Sequence, residues 1–163
     1  MQGFSTHTIA LSLACFLCHC SDPPPPLPIA IPDVIQTKPW FVDEAIMRGV
    51  QFQWKSGAKG KHHMPEIIGG GVAVIDIDND DDLDLYFVQG GSMFTIGDQQ
   101  NTNQLFINEN GTFQNTTSTS GAGDMGFGMG VAVGDYDNDG DPDMYVTNFG
   151  KDTLLQNNGN GTF

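Results

Sequence analysis

The sequence predicts an all-β fold built from repeated four-stranded antiparallel units, and three observations predict it. An aspartate-rich stretch of nine residues occurs twice, as Asp76-Ile-Asp-Asn-Asp-Asp-Asp-Leu-Asp84 and Asp135-Tyr-Asp-Asn-Asp-Gly-Asp-Pro-Asp143, 59 residues apart. Each copy lies between two short runs rich in β-branched and aromatic residues, the composition of strands. Each is followed by Asn-Gly-Thr-Phe, at 110–113 and again at 160–163. Asn-Gly is the preferred pair for a two-residue type I′ hairpin turn.

Taken in order, the elements of the two copies fall into register. Gly71-Val-Ala-Val-Ile-Asp76 aligns with Gly130-Val-Ala-Val-Gly-Asp135, giving the first strand of each unit. Leu83-Asp-Leu-Tyr-Phe-Val88 aligns with Pro142-Asp-Met-Tyr-Val-Thr147, giving the second. In the first copy Leu83, Leu85 and Phe87 alternate with Asp84, Tyr86 and Val88, the period of two that a strand requires. Pro142 is expected at the first position of its strand, where a missing N–H is tolerated. The third strand covers Gln104-Leu-Phe-Ile107 and, in the second copy, Thr153-Leu-Leu-Gln156. Beyond the Asn-Gly turn, Phe113-Gln-Asn-Thr-Thr-Ser-Thr119 reads as a polar fourth strand. Upstream, Phe41 precedes Gly49 by the same eight residues that separate Phe113 from Gly121. Phe41-Val-Asp-Glu-Ala45 is therefore expected to be a fourth strand without a unit of its own, suited to close a ring with a last unit.

Four-stranded units repeated along a chain suggest a β-propeller, which needs about 4–8 of them. Here about two blades are present, one complete and most of another, so the expectation is a partial propeller and a portion of a longer protein. A small two-sheet domain is the alternative, and it would leave an unprotected sheet edge.

The acidic stretches carry the chemistry. The two loops contain 11 of the 20 acidic residues. Carboxylates packed so closely repel one another unless a cation sits among them. A hard cation such as Ca²⁺ takes six to eight oxygens, and short loops supply them from alternate residues. The expected side-chain ligands are Asp76, Asp78, Asp80 and Asp84, with the main-chain carbonyl of Asp82. In the second loop they are Asp135, Asp137, Asp139 and Asp143, with the carbonyl of Asp141. Gly140 permits the sharp turn because glycine tolerates a positive φ. Asp81 stands at that position in the first loop and adopts a left-handed conformation only at a cost; the first site is expected to be weaker or more strained. These are not EF-hands, since the twelfth positions are Phe87 and Val146 in place of a bidentate Glu.

The formal charge of −14, with six basic residues, excludes a nucleic-acid partner, whose phosphates need clustered Lys and Arg. An apolar fraction of 39% is enough for a core and sets the chain apart from a disordered acidic tail.

The N-terminus reads as an export signal over residues 1–20. Its apolar run, Ile9-Ala-Leu-Ser-Leu-Ala-Cys-Phe-Leu17, is too short to span a bilayer. Ser12-Leu-Ala-Cys15 fits a lipid-attachment site with Cys15 as the acceptor, although Ser12 stands where Leu is usual and Met1–His7 has no Lys or Arg. Residues 21–39 form a proline-rich linker, with Pro23-Pro-Pro-Pro26, Pro28 and Pro32, a stiff extended spacer. The repeat region occupies 40–163. Cys15-Phe-Leu-Cys18-His19 also spells the c-type haem attachment pattern, but it lies inside the apolar segment.

Other motifs weigh less. Gly121-Ala-Gly-Asp-Met-Gly126 fits G-x-G-x-x-G, yet a strand and not a helix N-terminus is expected after it; close packing of the inner strand is the favoured role. His62-His63-Met64 reads as a polar loop in preference to a soft-metal site. Trp40 and Trp54 are expected to be packing residues. No Ser/His/Asp or Cys/His arrangement has support.

Phe127-Gly-Met-Gly-Val-Ala-Val-Gly-Asp-Tyr-Asp-Asn-Asp-Gly-Asp-Pro-Asp143 resembles the FG-GAP, or VCBS-type, repeat of integrin α-chain propellers and bacterial surface proteins. The Gly-Gly-Gly-Val-Ala opening, the Leu-Tyr-Phe-Val strand and the Asn-Gly-Thr-Phe turns further resemble the UnbV/ASPIC (cartilage acidic protein-like) group. The resemblance covers about residues 41–163 and implies a propeller whose loops bind Ca²⁺ structurally. Its departures are Asp81 for the usual Gly and the absence of Gly-Ala-Pro after Val146. The functional expectation is an exported calcium-binding propeller at the cell surface, in the outer membrane or in the periplasm, lipid-anchored if Cys15 is modified, used for adhesion or for binding a protein or glycan. The alternative is the N-terminal part of a propeller-based enzyme, a polysaccharide lyase or redox protein, whose active site lies outside this chain.

Overall fold

The computed structural model describes residues 39–94 and 101–163, and residues Phe41–Phe163 form one compact unit. The export signal, Cys15, the haem-like pattern and nearly all of the proline-rich linker lie outside the described residues. Among those described, no helix is long and apolar enough to cross a membrane.

The fold is mostly β, in two antiparallel sheets. The first has strands β1 (Val72–Ile75), β2 (Asp84–Phe87), β3 (Gln104–Glu109) and β4 (Thr112–Asn115) in the order β1-β2-β3-β4. The second has β5 (Gly128–Gly134), β6 (Asp143–Asn148) and β7 (Thr153–Leu155) in the order β5-β6-β7. Both are meanders, and each acidic loop is the tip of the first hairpin of its sheet. Ile75 pairs with Asp84 and Gly134 with Asp143, so the two loops close over the same register. Pro142 lies just before β6, outside the strand. The Asn-Gly expectation holds at 110–111: Glu109 pairs with Thr112, and Asn110 and Gly111 have φ of 53° and 87°, as a type I′ turn requires. At 160–161 the chain makes a different turn, with Gly159 and Gly161 at positive φ and the Asn158 N–H donating to the Thr162 carbonyl at 2.9 Å.

One expected strand is shorter than predicted and another is not a strand. β4 ends at Asn115, and residues Thr117–Ser120 form a short helix, α2. The cause is local: the Asn115 side chain accepts from the Thr117 N–H at 3.1 Å and its hydroxyl at 2.7 Å, while that hydroxyl also accepts from Leu105 N–H. Such side-chain bonds compete with the ladder and turn the chain. Phe41–Ala45 is not a strand. Asp43 accepts from the Ala45 N–H, and Glu44 pairs with Arg48 at 2.7 Å across one helical turn, the spacing that favours a turn. The echo with 113–121 is nevertheless real at its far end. Phe113 N–H donates to the Arg48 carbonyl just as Phe163 N–H donates to the Ser120 carbonyl, both at 2.7 Å. Residues 48–49 thus receive the first hairpin end in the way that 120–121 receive the second.

His62 and His63 are loop, and Met64 opens a short helix, α1 (Met64–Ile68); Glu66 accepts from the His63 N–H at 2.9 Å and Pro65 sits in its first turn. Trp54 packs beside Gly70 and Gly90, whereas Trp40 is exposed.

The core lies between the sheets. Ala73, Ile75, Tyr86, Val88, Leu105 and Ile107 of the first meet Met144, Val146 and Leu155 of the second, with Ile77, Ala122, Val131 and Phe163 completing the cluster. The face of β2 turned inward carries Asp84 and Tyr86, both 0% exposed. Leu83 is exposed, and Phe87 packs on the opposite face, stacked on Phe52 with ring centroids 4.6 Å apart. The first strands of the sheets approach closely: a Cβ on Gly71 would lie 3.0 Å from Gly130 Cα, so a side chain there would push the sheets apart.

Candidate metal centre

Each acidic loop is built by the same hydrogen bonds. Asp76 accepts from the N–H groups of Asp80 and Asp81, both at 3.1 Å; Asp135 accepts from those of Asp139 and Gly140, both at 3.1 Å. Asp80 accepts from Asp82 N–H at 2.8 Å, and Asp139 from Asp141 N–H at 2.9 Å. The buried Asp84 binds the N–H of Ile77 at 2.9 Å and of Asn108 at 2.7 Å. Asp143 binds the N–H of Tyr136 at 2.7 Å and of Asn157 at 2.8 Å. The last aspartate of each loop therefore clasps the loop to its sheet, in the first to the third strand at Asn108 and in the second to Asn157 just beyond the third strand.

Asn108 and Asn157 complete the clasp, their side-chain amides donating to the carbonyls of Leu83 and Pro142 at 3.1 and 3.2 Å. Sequence reasoning missed this pair. The signal was present, since each asparagine follows directly on the aligned third-strand segments, but an isolated Asn carries no pattern of its own. It also missed the fourth loop positions, Asn79 and Asn138, which have φ of 61° and 62°. Asp81 does adopt the expected left-handed backbone, with φ of 69° against 98° for Gly140.

Carboxylate oxygens of Asp76, Asp78 and Asp84 lie within 4.8 Å of one another, and so do those of Asp135, Asp137 and Asp143. These six of the expected ligands are brought together. Asp80 and Asp139 are not in the clusters; their side chains cap the turn instead. The Asp82 side chain accepts from Asn110 N–H at 2.9 Å and that of Asp141 from the Asn79 amide at 2.8 Å, so both carboxylates point to neighbours outside their own loops. Asp137 also accepts from the Gln156 amide.

The electrostatics show the strain of assembling such clusters. Burial raises the Asp84 carboxyl to about 6, against the lowering effect of the Asn108 and Ile77 N–H groups, with the charges of Asp78 and Asp80 adding to the rise. Asp78 is raised by burial and then by Asp80 and Asp76. One of its oxygens, Oδ1, is buried without a hydrogen-bond partner. A buried carboxylate oxygen left unpaired is costly, and it sits within a group of like charges. An all-oxygen, all-carboxylate donor set with an unpaired oxygen fits a hard cation and does not fit a soft one. The two acidic clusters can hold a metal ion.

Residues 93–146 match the family model of the FG-GAP-like repeat. The matched stretch takes in β3 and β4 of the first sheet and, in the second, β5, the whole 135–143 loop and most of β6. The FG-GAP-like repeat is a structural unit and not a catalytic one. No curated protein matches the chain. The 76–84 loop, with Asp81 in place of glycine, lies outside the matched stretch yet makes the same bonds as the FG-GAP-like loop. Elsewhere the weaker motifs resolve plainly. The stretch 121–126 is followed by β5, so no helix N-terminus is available there for a phosphate. Apart from the two aspartate trios, no cluster of three metal-type ligands occurs among the described residues.

Proposed function

We propose that this chain is part of an exported, calcium-stabilised β-propeller of the UnbV/ASPIC type that binds a protein or glycan at the cell surface, and that it is not itself an enzyme. The observation that carries the reading is the repetition of one loop architecture, bond for bond, on two adjacent antiparallel sheets whose first strands run side by side. Such an arrangement is what consecutive propeller blades need. Asp76, Asp78 and Asp84 would hold one Ca²⁺ and Asp135, Asp137 and Asp143 another. Asp80, Asp139 and the carbonyls of Asp82 and Asp141 are proposed to complete the shells once the ion draws the loop in. Calcium would neutralise the clustered charge and pin each hairpin to its sheet, so its role is architectural. Export through residues 1–20, lipidation at Cys15 and the spacing role of residues 21–39 belong to the same proposal.

Melting of the 163-residue chain, followed by circular dichroism with calcium and with EGTA, tests it. Two calcium ions bound at a hundredfold excess over their dissociation constants stabilise by about 5 kcal/mol together, a rise in midpoint of several degrees. An unchanged midpoint sinks the calcium reading.

A further inference from the structure

We propose that Asn157 and Asn79 couple the two acidic loops, so that calcium binds them with positive cooperativity; this rests on the calcium reading above. Asn157 stands between the sites. Its backbone N–H donates to Asp143 Oδ1 at 2.8 Å, fixing a ligand of the second loop. Its side-chain amide donates at 2.8 Å to the carbonyl of Ile77, the residue between Asp76 and Asp78 in the first loop. The residue is 2% exposed, so these bonds are shielded from competing water. Its Oδ1 accepts from Gly159 N–H at 3.0 Å and its amide also reaches the Pro142 carbonyl at 3.2 Å, which leaves the side chain little freedom to turn. A second link runs beside the first: the Asn79 amide donates to Asp141 Oδ1 at 2.8 Å.

The equivalent residue of the first sheet shows that the bridge is an addition to the clasp. Asn108 N–H binds Asp84 and its amide binds the Leu83 carbonyl, just as Asn157 binds Asp143 and Pro142. Of the bonds made by these two asparagines, the one from Asn157 to Ile77 alone reaches the loop of the other sheet. An ion in the first loop fixes the backbone on both sides of Ile77, and through that carbonyl it fixes Asn157. Asp143 is then held in place before the second ion arrives. Ordering done by the first ion need not be repeated by the second, which is positive cooperativity. The sign is diagnostic, because two cations interacting only through their charges repel and give the opposite.

The test is calorimetric titration of the full chain with Ca²⁺ alone, joined by three variants. The wild type is expected to take two ions with a Hill coefficient above 1. Asp78→Asn, which disables the first site, is expected to weaken the remaining site by about fivefold or more, the lower range of allosteric coupling. Asn79→Gly, which suits the positive φ while removing the amide, and Asn157→Leu, which is close in shape and has no donor, are expected to bring the Hill coefficient to 1 with both ions still bound. Asn79 is exposed, so its variant gives a result even if the Asn157 variant fails to fold. Two ions bound by the wild type with a coefficient of 1 or below overturn the coupling alone. Cooperativity that survives Asn79→Gly and Asn157→Leu also overturns it. No calcium bound by the wild type overturns the coupling together with the calcium reading.

Discussion

Tyr86 and Tyr145 occupy the same place in the two sheets, one strand position in from the acidic loop on the same face, and they meet opposite surroundings. Tyr86 is 0% exposed; its hydroxyl donates to the Ala122 carbonyl at 2.9 Å and accepts from the Asn103 amide at 3.0 Å, and burial pushes its ionisation up. Tyr145 is 44% exposed and donates to Asp152 at 2.9 Å. The loops beside them are nearly superimposable in bonding. Loop architecture is therefore local, written within each repeat, while the burial of a strand residue depends on the sheet that stands over it. A tyrosine serves both places because its ring can fill a core and its hydroxyl can reach either a carbonyl or a carboxylate.

The most severe way to probe the equivalence is to remove the clasps. Asp84→Ala and Asp143→Ala each strip two backbone N–H groups of their acceptor, one of each pair fully buried. At about 1–3 kcal/mol for each unsatisfied buried donor, each variant should lose on the order of 3 kcal/mol in urea denaturation of the calcium-free protein. Losses that differ by more than about 2 kcal/mol would break the equivalence of the loops, since single clasps of this kind vary by less.

Next in size is the pH response of the first loop. The Asp84 carboxyl rises from its ordinary 3.8 to about 6 in the folded protein. A folded-state value above the unfolded one gives stability that is complete below about pH 4 and is lost as pH rises through 6. The calcium-free chain should thus lose on the order of 2–3 kcal/mol between pH 4 and 7, with Asp78 acting in the same direction. Urea midpoints across that range give the slope, and Asp84→Asn should flatten it. A midpoint that climbs with pH would contradict the assignment.

The tyrosines sharpen the comparison directly. Tyr86→Phe leaves the Ala122 carbonyl and the Asn103 amide without a partner, at about 1–3 kcal/mol. Tyr145→Phe loses only an exposed bond, worth about 0–0.5 kcal/mol. Equal effects in thermal melts would mean that the sheet-on-sheet core is not formed in solution.

The smallest effect separates the loops at their sixth position. Gly140→Ala, at φ of 98°, should cost about 1–2 kcal/mol. Asp81→Gly relieves strain but loosens the unfolded chain, and the two nearly cancel to within about 0.5 kcal/mol. Calcium titration should still show the first loop tightening in Asp81→Gly; a weaker first site would mean that the Asp81 side chain itself helps to hold the ion.

The strands around each loop, the type I′ turn at Asn110-Gly111 and the left-handed Asp81 were legible because each depends on a few adjacent residues. Six of the eight proposed side-chain ligands gather where alternation put them. Asp80 and Asp139 do not, because an aspartate two residues before an N–H at a turn is captured by it. The same chemistry at Asn115 ended the expected fourth strand early in a short helix, and at Asp43 it made a turn of the strand expected at 41–45. Period two could mark the faces of β2, but not which one is buried: Leu83 and Phe87 are the more apolar choice, yet Asp84 and Tyr86 lie inside.

By itself, then, the sequence determined the all-β class, the meander, the position of the acidic loops and the residues able to gather around a cation, since all of these follow from spacing over ten residues or fewer. Only the tertiary structure decided that Tyr86 is core while Tyr145 is surface, that Gly71 meets Gly130, and that Asn157 reaches across to Ile77. The two contacts join residues 59 and 80 positions apart, and the fate of each tyrosine depends on a second sheet; no local pattern records what will stand opposite a strand once the chain has folded.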